Sequence, residues 1–504
     1  MASDEAGDRG EVLGGGPVSD AEASGLRQAQ PTQHPAQPAQ RSAELAVRTT
    51  AVPGLLVLDL PLHGDDRGWF KENWQRAKMT ALGLPDFRPV QHSVAHNTAV
   101  GVTRGFHAEP WDKLVSVASG RVFGAWVDLR EGPGFGQLVT VELGPETAVF
   151  VPRGVANSYQ TLEPETVYSY LVNEHWSPDA RSEYTYLNLA DETVAVDWPI
   201  SLSEATISAA DAAHPRLQDV RPMPPLRTVI VGANGQLGRA LRALLPNAEL
   251  LDLPDFDCTD AAAVEAYPWR GVGTIINAAA YTAVDAAETA EGRRACWAAN
   301  VTGVGNLCRV AAAHRATLVH VSSDYVFDGT AEFHTEDEPF SPLGVYGQTK
   351  AAGDALVGQL ARHYLVRTSW VIGDGRNFVR TMADLAAKGV SPSVVDDQFG
   401  RLTFTTDLAA GIVHLVSSGA AFGTYNLTGD GPVQSWCDIA RDVFRLRGRP
   451  EGDVTGLSTE QYSADKLTAP RPQHSALSLD RIKAAGFAPA NSAERLVAYL
   501  ADIS

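Results

Sequence analysis

Two rhythms of apolar residues divide this chain. From about residue 52 to residue 200, apolar positions come in short β-type runs separated by Gly, Pro and Asp. Among these runs are Leu55-Leu56-Val57-Leu58, Lys113-Leu114-Val115-Ser116-Val117, Val122-Phe123-Gly124-Ala125-Trp126-Val127, Thr147-Ala148-Val149-Phe150-Val151 and Val167-Tyr168-Ser169-Tyr170-Leu171. Short strands with turn signals at this spacing predict an all-β antiparallel barrel or jelly roll. After residue 226 the rhythm changes to strands alternating with helical stretches: Thr228-Val229-Ile230-Val231, Leu250-Leu251-Asp252-Leu253, Thr274-Ile275-Ile276-Asn277, Thr317 to Val321 and Tyr364 to Arg367. Such alternation predicts an α/β doubly wound parallel sheet, with ligands gathered at the strand ends. Residues 1–48 show neither rhythm; they are polar, alanine-rich and punctuated by Pro and Gln, which reads as a disordered tail. Residues 206–225 read as a linker, its part from Asp211 to Pro225 stiffened by Pro215, Pro222, Pro224 and Pro225. The expected division is therefore 1–48, 49–205, 206–225 and 226–504.

Length agrees with more than one domain, since 504 residues exceed what one hydrophobic core organises. A net charge of −19 disfavours nucleic acid as a partner. The sequence has no run of 18 apolar residues and no signal-peptide core, so no membrane partner and a cytoplasmic protein are expected. Four cysteines, Cys258, Cys296, Cys308 and Cys437, all fall in the second part at spacings of neither a disulfide framework nor a zinc site.

The chemistry of the second part starts at Gly232-Ala233-Asn234-Gly235-Gln236-Leu237-Gly238, directly after a strand and opening an amphipathic helix. Glycines there permit a tight turn and the approach of a pyrophosphate to backbone N–H groups at a helix start. Asp252, 20 residues after Gly232, stands where a carboxylate accepts from a ribose 2′-hydroxyl, which favours NADH; Arg239 suits the 2′-phosphate of NADPH. Asp257 and Asp260 suit either an adenosine contact or a helix cap. Asn277-Ala278-Ala279 ends a strand with small residues that let a nicotinamide cofactor lie against the backbone. Tyr346 and Lys350 are one helical turn apart, so on a helix they share a face, and the ammonium would hold the phenol's pKa down for use as an acid. Ser323 ends a strand where its hydroxyl can polarise the same carbonyl oxygen. A lone Tyr-x-x-x-Lys is weak evidence; downstream of the glycine turn it points to an enzyme.

These motifs, with Asn277 to Glu288, Ser322-Ser323-Asp324-Tyr325-Val326-Phe327, Arg367-Thr368-Ser369-Trp370 and Asp397-Gln398-Phe399-Gly400, occur in the order that resembles dTDP-4-dehydrorhamnose reductases, extended short-chain dehydrogenases. The resemblance runs from about Leu226 onward and implies a Rossmann domain with a small substrate-binding lobe. It implies hydride transfer from NADPH or NADH to the C4 ketone of a dTDP-linked 6-deoxyhexose, with Tyr346 as proton donor, Lys350 on the cofactor ribose, Ser323 beside the ketone, Tyr281 and Thr282 near substrate and Trp370 as a sugar-facing wall. Arg401-Leu402-Thr403 and His474 depart from the family pattern on the substrate side.

In the first part, Arg104, His107, Lys113, Asp128, Tyr170 and Asp191 recur among strands; buried together, such groups are costly unless they do chemistry or bind an anion. Singly, each has an ordinary reading as a satisfied histidine, an edge lysine or a core ring. His92, His96 and His107 offer metal ligands, but the His-x-His and Glu of a metal cupin are absent, so no metal is expected. Asp66 to Glu72, Arg104 to His107, Lys113 to Val115, Val127 to Arg130, Phe135-Gly136, Pro152 to Gly154, Tyr170 and Asp191 to Pro199 together resemble dTDP-4-dehydrorhamnose 3,5-epimerases. That resemblance implies a metal-free cupin that pairs as a homodimer. In it His107, oriented by Asp191, removes protons α to the C4 ketone, Tyr170 returns them, and Lys113 and Arg104 stabilise the enolate. Arg67, Phe70 and Glu72 match the nucleotide-contacting segment, and Asn157 replaces a family histidine near the substrate. The expected protein is thus a fusion of both enzymes; the alternatives are the same chemistry on another nucleotide-linked deoxyhexose, or a non-catalytic binding protein.

Overall fold

A computed structural model describes residues 44–464 and 466–503, and the chain divides into two compact units that meet at Pro224 and Pro225. In the first unit one antiparallel sheet has the order Ala46–Thr49, Leu56–Asp59, Thr147–Val151, Lys113–Ser119, Thr166–Val172, Gln91–Asn97. A second sheet has the order Thr185–Tyr186, Val102–Ala108, Val155–Thr161, Val122–Asp128, Leu138–Leu143. Alternate side chains point to opposite faces of a strand. One set, including Val57, Val115, Val117, Trp126, Val149, Tyr159 and Tyr168, forms a core shared by both sheets. The opposite face of the first sheet, with Leu56, Leu58, Leu114 and Phe150, is covered by Met79, Leu84 and Phe87. The opposite face of the second, with Phe106, Ala108, Ala125 and Val127, is covered by Leu187, Leu189, Leu217, Val220 and Met223.

That last layer corrects the expected linker over 206–225. Thr206–Ile207 pairs with Val102–Ala108, the Met223 N–H donates to the Leu129 carbonyl at 2.8 Å, and Leu217, Val220 and Met223 are buried. The prolines bend this segment along the sheet, and the apolar residues between them anchor it. The tail expected over 1–48 lies outside the described residues up to residue 43. It must be shortened at its end, because Ala46–Thr49 is a strand paired with Leu56–Asp59 and secured by Arg48 on Asp59 at 2.8 Å.

The second unit is built on a parallel sheet in the order Glu249–Leu251, Arg227–Val231, Val272–Asn277, Thr317–Ser323, His363–Thr368, Gly423–Asn426. Two apolar clusters flank it, one around Val264, Leu307 and Val310, the other around Leu237, Leu241, Leu408 and Ile412. A smaller lobe packs helices Phe378–Ala387, Trp436–Leu446 and Ser492–Asp502 around Met382, Leu402, Val443, Phe444 and Leu496. No helix among the described residues is long and apolar enough to cross a membrane. The described cysteines are free thiols, three of them buried.

Candidate active sites

In the first unit His107 lies on the strand Val102–Ala108, and a bulge decides what it shares a face with. His107 pairs with Asn157 and Arg104 with Tyr159, so between them two residues, Gly105 and Phe106, oppose one, Ser158. The extra residue turns Arg104 and His107 to the same side. Gly105 allows it, at φ +149°, where any Cβ would strike Ser158. Arg104 is exposed, its Nε donating to Asn97 Oδ1 at 3.3 Å.

His107 Nε2 stands 3.0 Å from Asp211 Oδ1. Asp191, the expected partner, is spent elsewhere: it accepts the backbone N–H groups of Thr193, Val194 and Leu217 at 3.0, 2.8 and 2.7 Å. The orienting carboxylate is therefore Asp211, on the short helix Ala209–Ala212 capped by Ser208, inside the stretch expected to be linker. A Ser-x-x-Asp signature, Ser208 to Asp211, was the signal available for it. Burial pushes the Asp211 carboxyl up, and the His107 hydrogen bond and charge, with Ser208 and Gly105, outweigh it and hold the group below its ordinary value. His214, also missed, is stacked on Tyr186 at 4.6 Å with Nε2 3.9 Å from Asp211 Oδ1; burial first, then the charge of His107, lowers its pKa.

Across the core, Tyr170 lines a cavity of about 320 Å³ with Gln91, Ser93, Glu109, Trp111 and Tyr184. Lys113 Nζ lies 4.7 Å from the Tyr170 ring centre and 2.7 Å from Glu109 Oε1, and Glu109 also accepts from Trp111 at 2.7 Å. Glu109, with no role foreseen from sequence, makes Lys113 a tolerable buried cation. Asn157, cross-strand from His107, accepts from the Tyr168 hydroxyl at 3.0 Å. Arg67, Phe70 and Glu72 do not join this pocket's lining: Arg67 pairs with Asp65 on an exposed hairpin, Phe70 is 64% exposed, and Glu72 pairs with Lys78 at 2.5 Å.

In the second unit the glycine turn has the geometry its sequence predicts. Gly232 follows the strand Arg227–Val231 at φ +80°, where a Cβ would lie 2.5 Å from Ala279 N, and Gly235 caps the helix Gln236–Leu244. Gly238 lies so close to the Gly232 carbonyl that a side chain is excluded, and Leu237 is buried beneath the turn. The N–H groups from Gly232 to Gly235 are spent within the turn, and the glycines leave the start of the helix Gln236–Leu244 bare of side chains, which fits a dinucleotide pyrophosphate at a helix N-terminus. Asp252 braces this turn, accepting from the N–H groups of Asn234 at 2.7 Å and Leu253 at 2.8 Å. Arg239 donates to the Asn234 and Asp374 carbonyls. Of the two undecided acids, Asp260 caps the helix Ala261–Ala266 and Asp257 accepts from Thr259 N–H at 2.8 Å.

Val231, Asn277 and Ser323 end neighbouring parallel strands. Asn277 is buried between Ala279 N–H and His320, Ala278 donates to Val231, and Ala279 packs on the core below. Tyr346 and Lys350 lie on the helix Val345–Val357. Lys350 Nζ donates to the Val321 carbonyl at 2.7 Å and stands 3.5 Å from His320 Nε2; burial lowers its pKa to about 8. Tyr346 departs from expectation, for its pKa is raised: burial is the main cause and the Asp324 charge the next, with a Ser323 hydrogen bond opposing. Desolvation outweighs any help from the lysine, whose ammonium is turned to the strand carbonyl. Beside Ser323, Asp324 is pushed up to about 6, chiefly by burial.

Three further residues hold this constellation. Glu288 Oε1 accepts from Val345 N–H at 2.8 Å, fixing the start of the Tyr346 helix, which has no side-chain cap of its own. Asn300, within a π-helical turn, bonds both the N–H and the carbonyl of Tyr281 and reaches Thr349 at 3.1 Å. Asp285 pairs with Arg471 at 2.9 Å. Tyr281 packs with Tyr346 around Val345, and Thr282 is exposed on the loop beyond. Trp370, at φ +46°, stacks on Trp436 at 3.8 Å, so one of its faces belongs to the small lobe.

Over residues 226–504 the chain matches the family model for the RmlD substrate binding domain, and over residues 49–219 that for dTDP-4-dehydrorhamnose 3,5-epimerase. A Streptococcus pyogenes protein named RmlC homolog is 46% identical over 178 residues, 34% of this chain and 90% of the relative. A dTDP-4-keto-6-deoxy-D-glucose reductase of Streptomyces niveus is 38% identical over 272 residues, 52% of this chain and 92% of the relative. The crystal structure of dTDP-4-dehydrorhamnose reductase from Bacillus anthracis in complex with NADP is similar at a TM-score of 0.51 and 31% identity, covering 56% of this chain and all of that one.

Proposed function

The chain belongs to the RmlD family through residues 226–504, with an RmlC-type epimerase domain fused ahead of it over residues 49–219, and on that premise we propose that it is a bifunctional enzyme of dTDP-L-rhamnose formation. Its first unit, read as a cupin-type jelly roll, epimerises dTDP-4-dehydro-6-deoxyglucose at C3 and C5; its second, read as a Rossmann domain with a substrate lobe, reduces the C4 ketone.

In the first unit His107 takes the proton from the carbon beside the ketone. Asp211 holds the imidazole in orientation and stabilises it when charged. Tyr170, on the facing sheet, returns a proton from the other side of the sugar. Lys113 and Arg104 offset the enolate charge, which otherwise makes so weak a carbon acid unreactive.

In the second unit, a nicotinamide dinucleotide bound in the Gly232 cradle supplies the hydride. Ser323 and Tyr346 direct their hydroxyls at the C4 oxygen. Burial keeps the Tyr346 phenol protonated until the oxygen gains charge, and the proton then moves from Oη to it. Lys350, anchored on the Val321 carbonyl, offers its remaining N–H donors to the cofactor ribose. NADP in the related reductase supports NADPH, and Arg239 suits a 2′-phosphate; NADH stays the alternative, because Asp252 retains free lone pairs.

The observations that support this reading are, on one chain, the His107–Asp211 pair at 3.0 Å with Tyr170 on the facing sheet, and Tyr346, hydrogen-bonded to Ser323, on the helix that carries Lys350. They speak against a non-catalytic binding protein. The test is to supply dTDP-4-dehydro-6-deoxyglucose with NADPH or NADH in deuterated water and identify the product by NMR; dTDP-L-rhamnose labelled at C3 and C5 is expected, and unlabelled product sinks the epimerase half. A second reading, another deoxyhexose, is favoured by Asn157 in place of the family histidine and by Arg401 and His474, which sit against Phe333 and Phe399 in the substrate-side loops.

The pairing edge of Gln91–Asn97 ends its sheet with Val94 exposed, and Trp69 and Phe70 are exposed on the hairpin of His63–Asp65 with Gly68–Phe70, which supports a homodimer through the first unit. Light scattering on the full chain tests it. Fusion keeps the keto-sugar at high effective concentration near the second site. Equal flux from separately expressed units would remove that advantage.

A further inference from the structure

We propose that His107, Asp211 and His214 form a transition-metal site, one that takes Zn²⁺ and thereby silences the first activity while sparing the second. The ligand atoms of the three side chains all lie within 4.8 Å of one another. His107 Nε2 is 3.0 Å and His214 Nε2 3.9 Å from the same oxygen, Asp211 Oδ1. A tetrahedral zinc with bonds of about 2.0–2.1 Å holds its ligand atoms roughly 3.4 Å apart, so small rotations of the two rings suffice. Two imidazoles and a carboxylate, with a fourth position open, form a ligand set that zinc uses in enzymes.

The arrangement has more than an acid–base pair requires. His107 and Asp211 complete their hydrogen bond without His214. At 3.9 Å the Nε2 of His214 is beyond hydrogen-bond range of the carboxylate, and the ring is held there by a backbone hydrogen bond to Leu187 rather than by Asp211. The ring is fixed where a ligand belongs, stacked on Tyr186 and edge-on to His107 at 5.5 Å. Access comes from the His107 side, whose side chain is 36% exposed against 12% for His214 and 11% for Asp211.

Metal in this position occupies the nitrogen of His107 that Asp211 now holds and takes the carboxylate with it, so the imidazole loses its orienter and its affinity for a proton. That functional consequence rests on the proposed role of His107; the binding itself does not.

Isothermal titration of the metal-free full chain with Zn²⁺ tests the site, alongside His214→Ala, His214→Gln and Asp211→Ala, each checked for an unchanged circular dichroism spectrum. One site per chain is expected, weakened by more than about tenfold in every variant. With Co²⁺ instead, visible ligand-field absorption should appear in the wild type and be lost in His214→Ala. Isotope exchange at C3 and C5 should fall with Zn²⁺ and return with EDTA. Its ratio with and without Zn²⁺ should approach one in His214→Ala, while reduction of pre-epimerised 4-keto sugar is unaffected. No Zn²⁺ binding, or binding equal in wild type and His214→Ala, overturns the site. Binding that leaves exchange undiminished overturns the silencing. Binding by these three residues in a chain that shows no exchange even with EDTA would uphold the site and refute His107 as the base.

Discussion

The two candidate sites hold their buried ionisable groups by different means. Around Tyr170 and His107 the less exposed groups have a carboxylate beside them: Lys113 has Glu109 at 2.7 Å, and His107 has Asp211 at 3.0 Å. Around Tyr346 the buried Lys350 bonds a neutral carbonyl and faces a neutral ring, while the nearest carboxylate, Asp354, is paired with Arg367 at 3.0 Å and only partly offsets the burial that lowers the lysine to about 8; the buried Asp324, beside two hydroxyls, rises to about 6. Pairing suits a pocket that must hold a base ready beside a carbon acid. Desolvation suits a cleft that must keep a phenol protonated and await a charged cofactor. The lesson is that neighbours set what an acid or base is before substrate arrives.

The sharpest test of this contrast is reciprocal. Tyr346→Phe should lower reduction by about 10²–10⁴ and leave exchange at C3 and C5 intact, while His107→Ala should abolish exchange and leave the reduction of pre-epimerised 4-keto sugar intact; NMR of the sugar protons reads both. If one substitution abolishes both signals, the two sites do not act separately.

Next in size is the desolvated lysine. Its folded-state pKa of about 8 lies below the unfolded value near 10.4, so between these the unfolded chain binds more protons and stability rises with pH. Without cofactor, Lys350 should contribute on the order of 3 kcal/mol of gain across pH 8 to 10.4, read in urea titrations as the difference in slope between wild type and Lys350→Met. A third pair separates the two aspartates. Asp211→Asn should cut exchange by about 10²-fold with little change in Tm. Asp191→Ala, which strips three backbone N–H groups of their acceptor, should cost about 1–3 kcal/mol and lower Tm first. The smallest effect is expected from Arg239→Ala, raising KM for NADPH by about tenfold and leaving that for NADH nearly alone; equal changes would remove Arg239 from cofactor choice.

How much of this was legible in sequence depended on whether a residue acts through its neighbours in the chain or through the fold. Gly232 to Gly238, Ser323, Tyr346 and Lys350 stand at fixed offsets within a strand, turn or helix, and the local period places them. His107 was identifiable through the segment around it, but its partner was not, because Asp191 and Asp211 are both carboxylates near a domain end and the closure of the outer layer decides between them. Proline density hid that layer: Leu217, Val220 and Met223 read as linker when viewed alone, and as core once Phe106 and Val127 lie beneath them. The Tyr346 pKa was misjudged for a similar reason. Spacing gives the distance to Lys350 but not the burial, which dominates.

The hydrogen-bonded seam between Leu129 and Met223 bears on how this gene can be cut. An expression boundary drawn at residue 205, where the strands thin out, would amputate Asp211 and strip Leu217, Val220 and Met223 from the outer face of the second sheet. Shears placed between Pro224 and Pro225 leave each half with the residues its own folding uses.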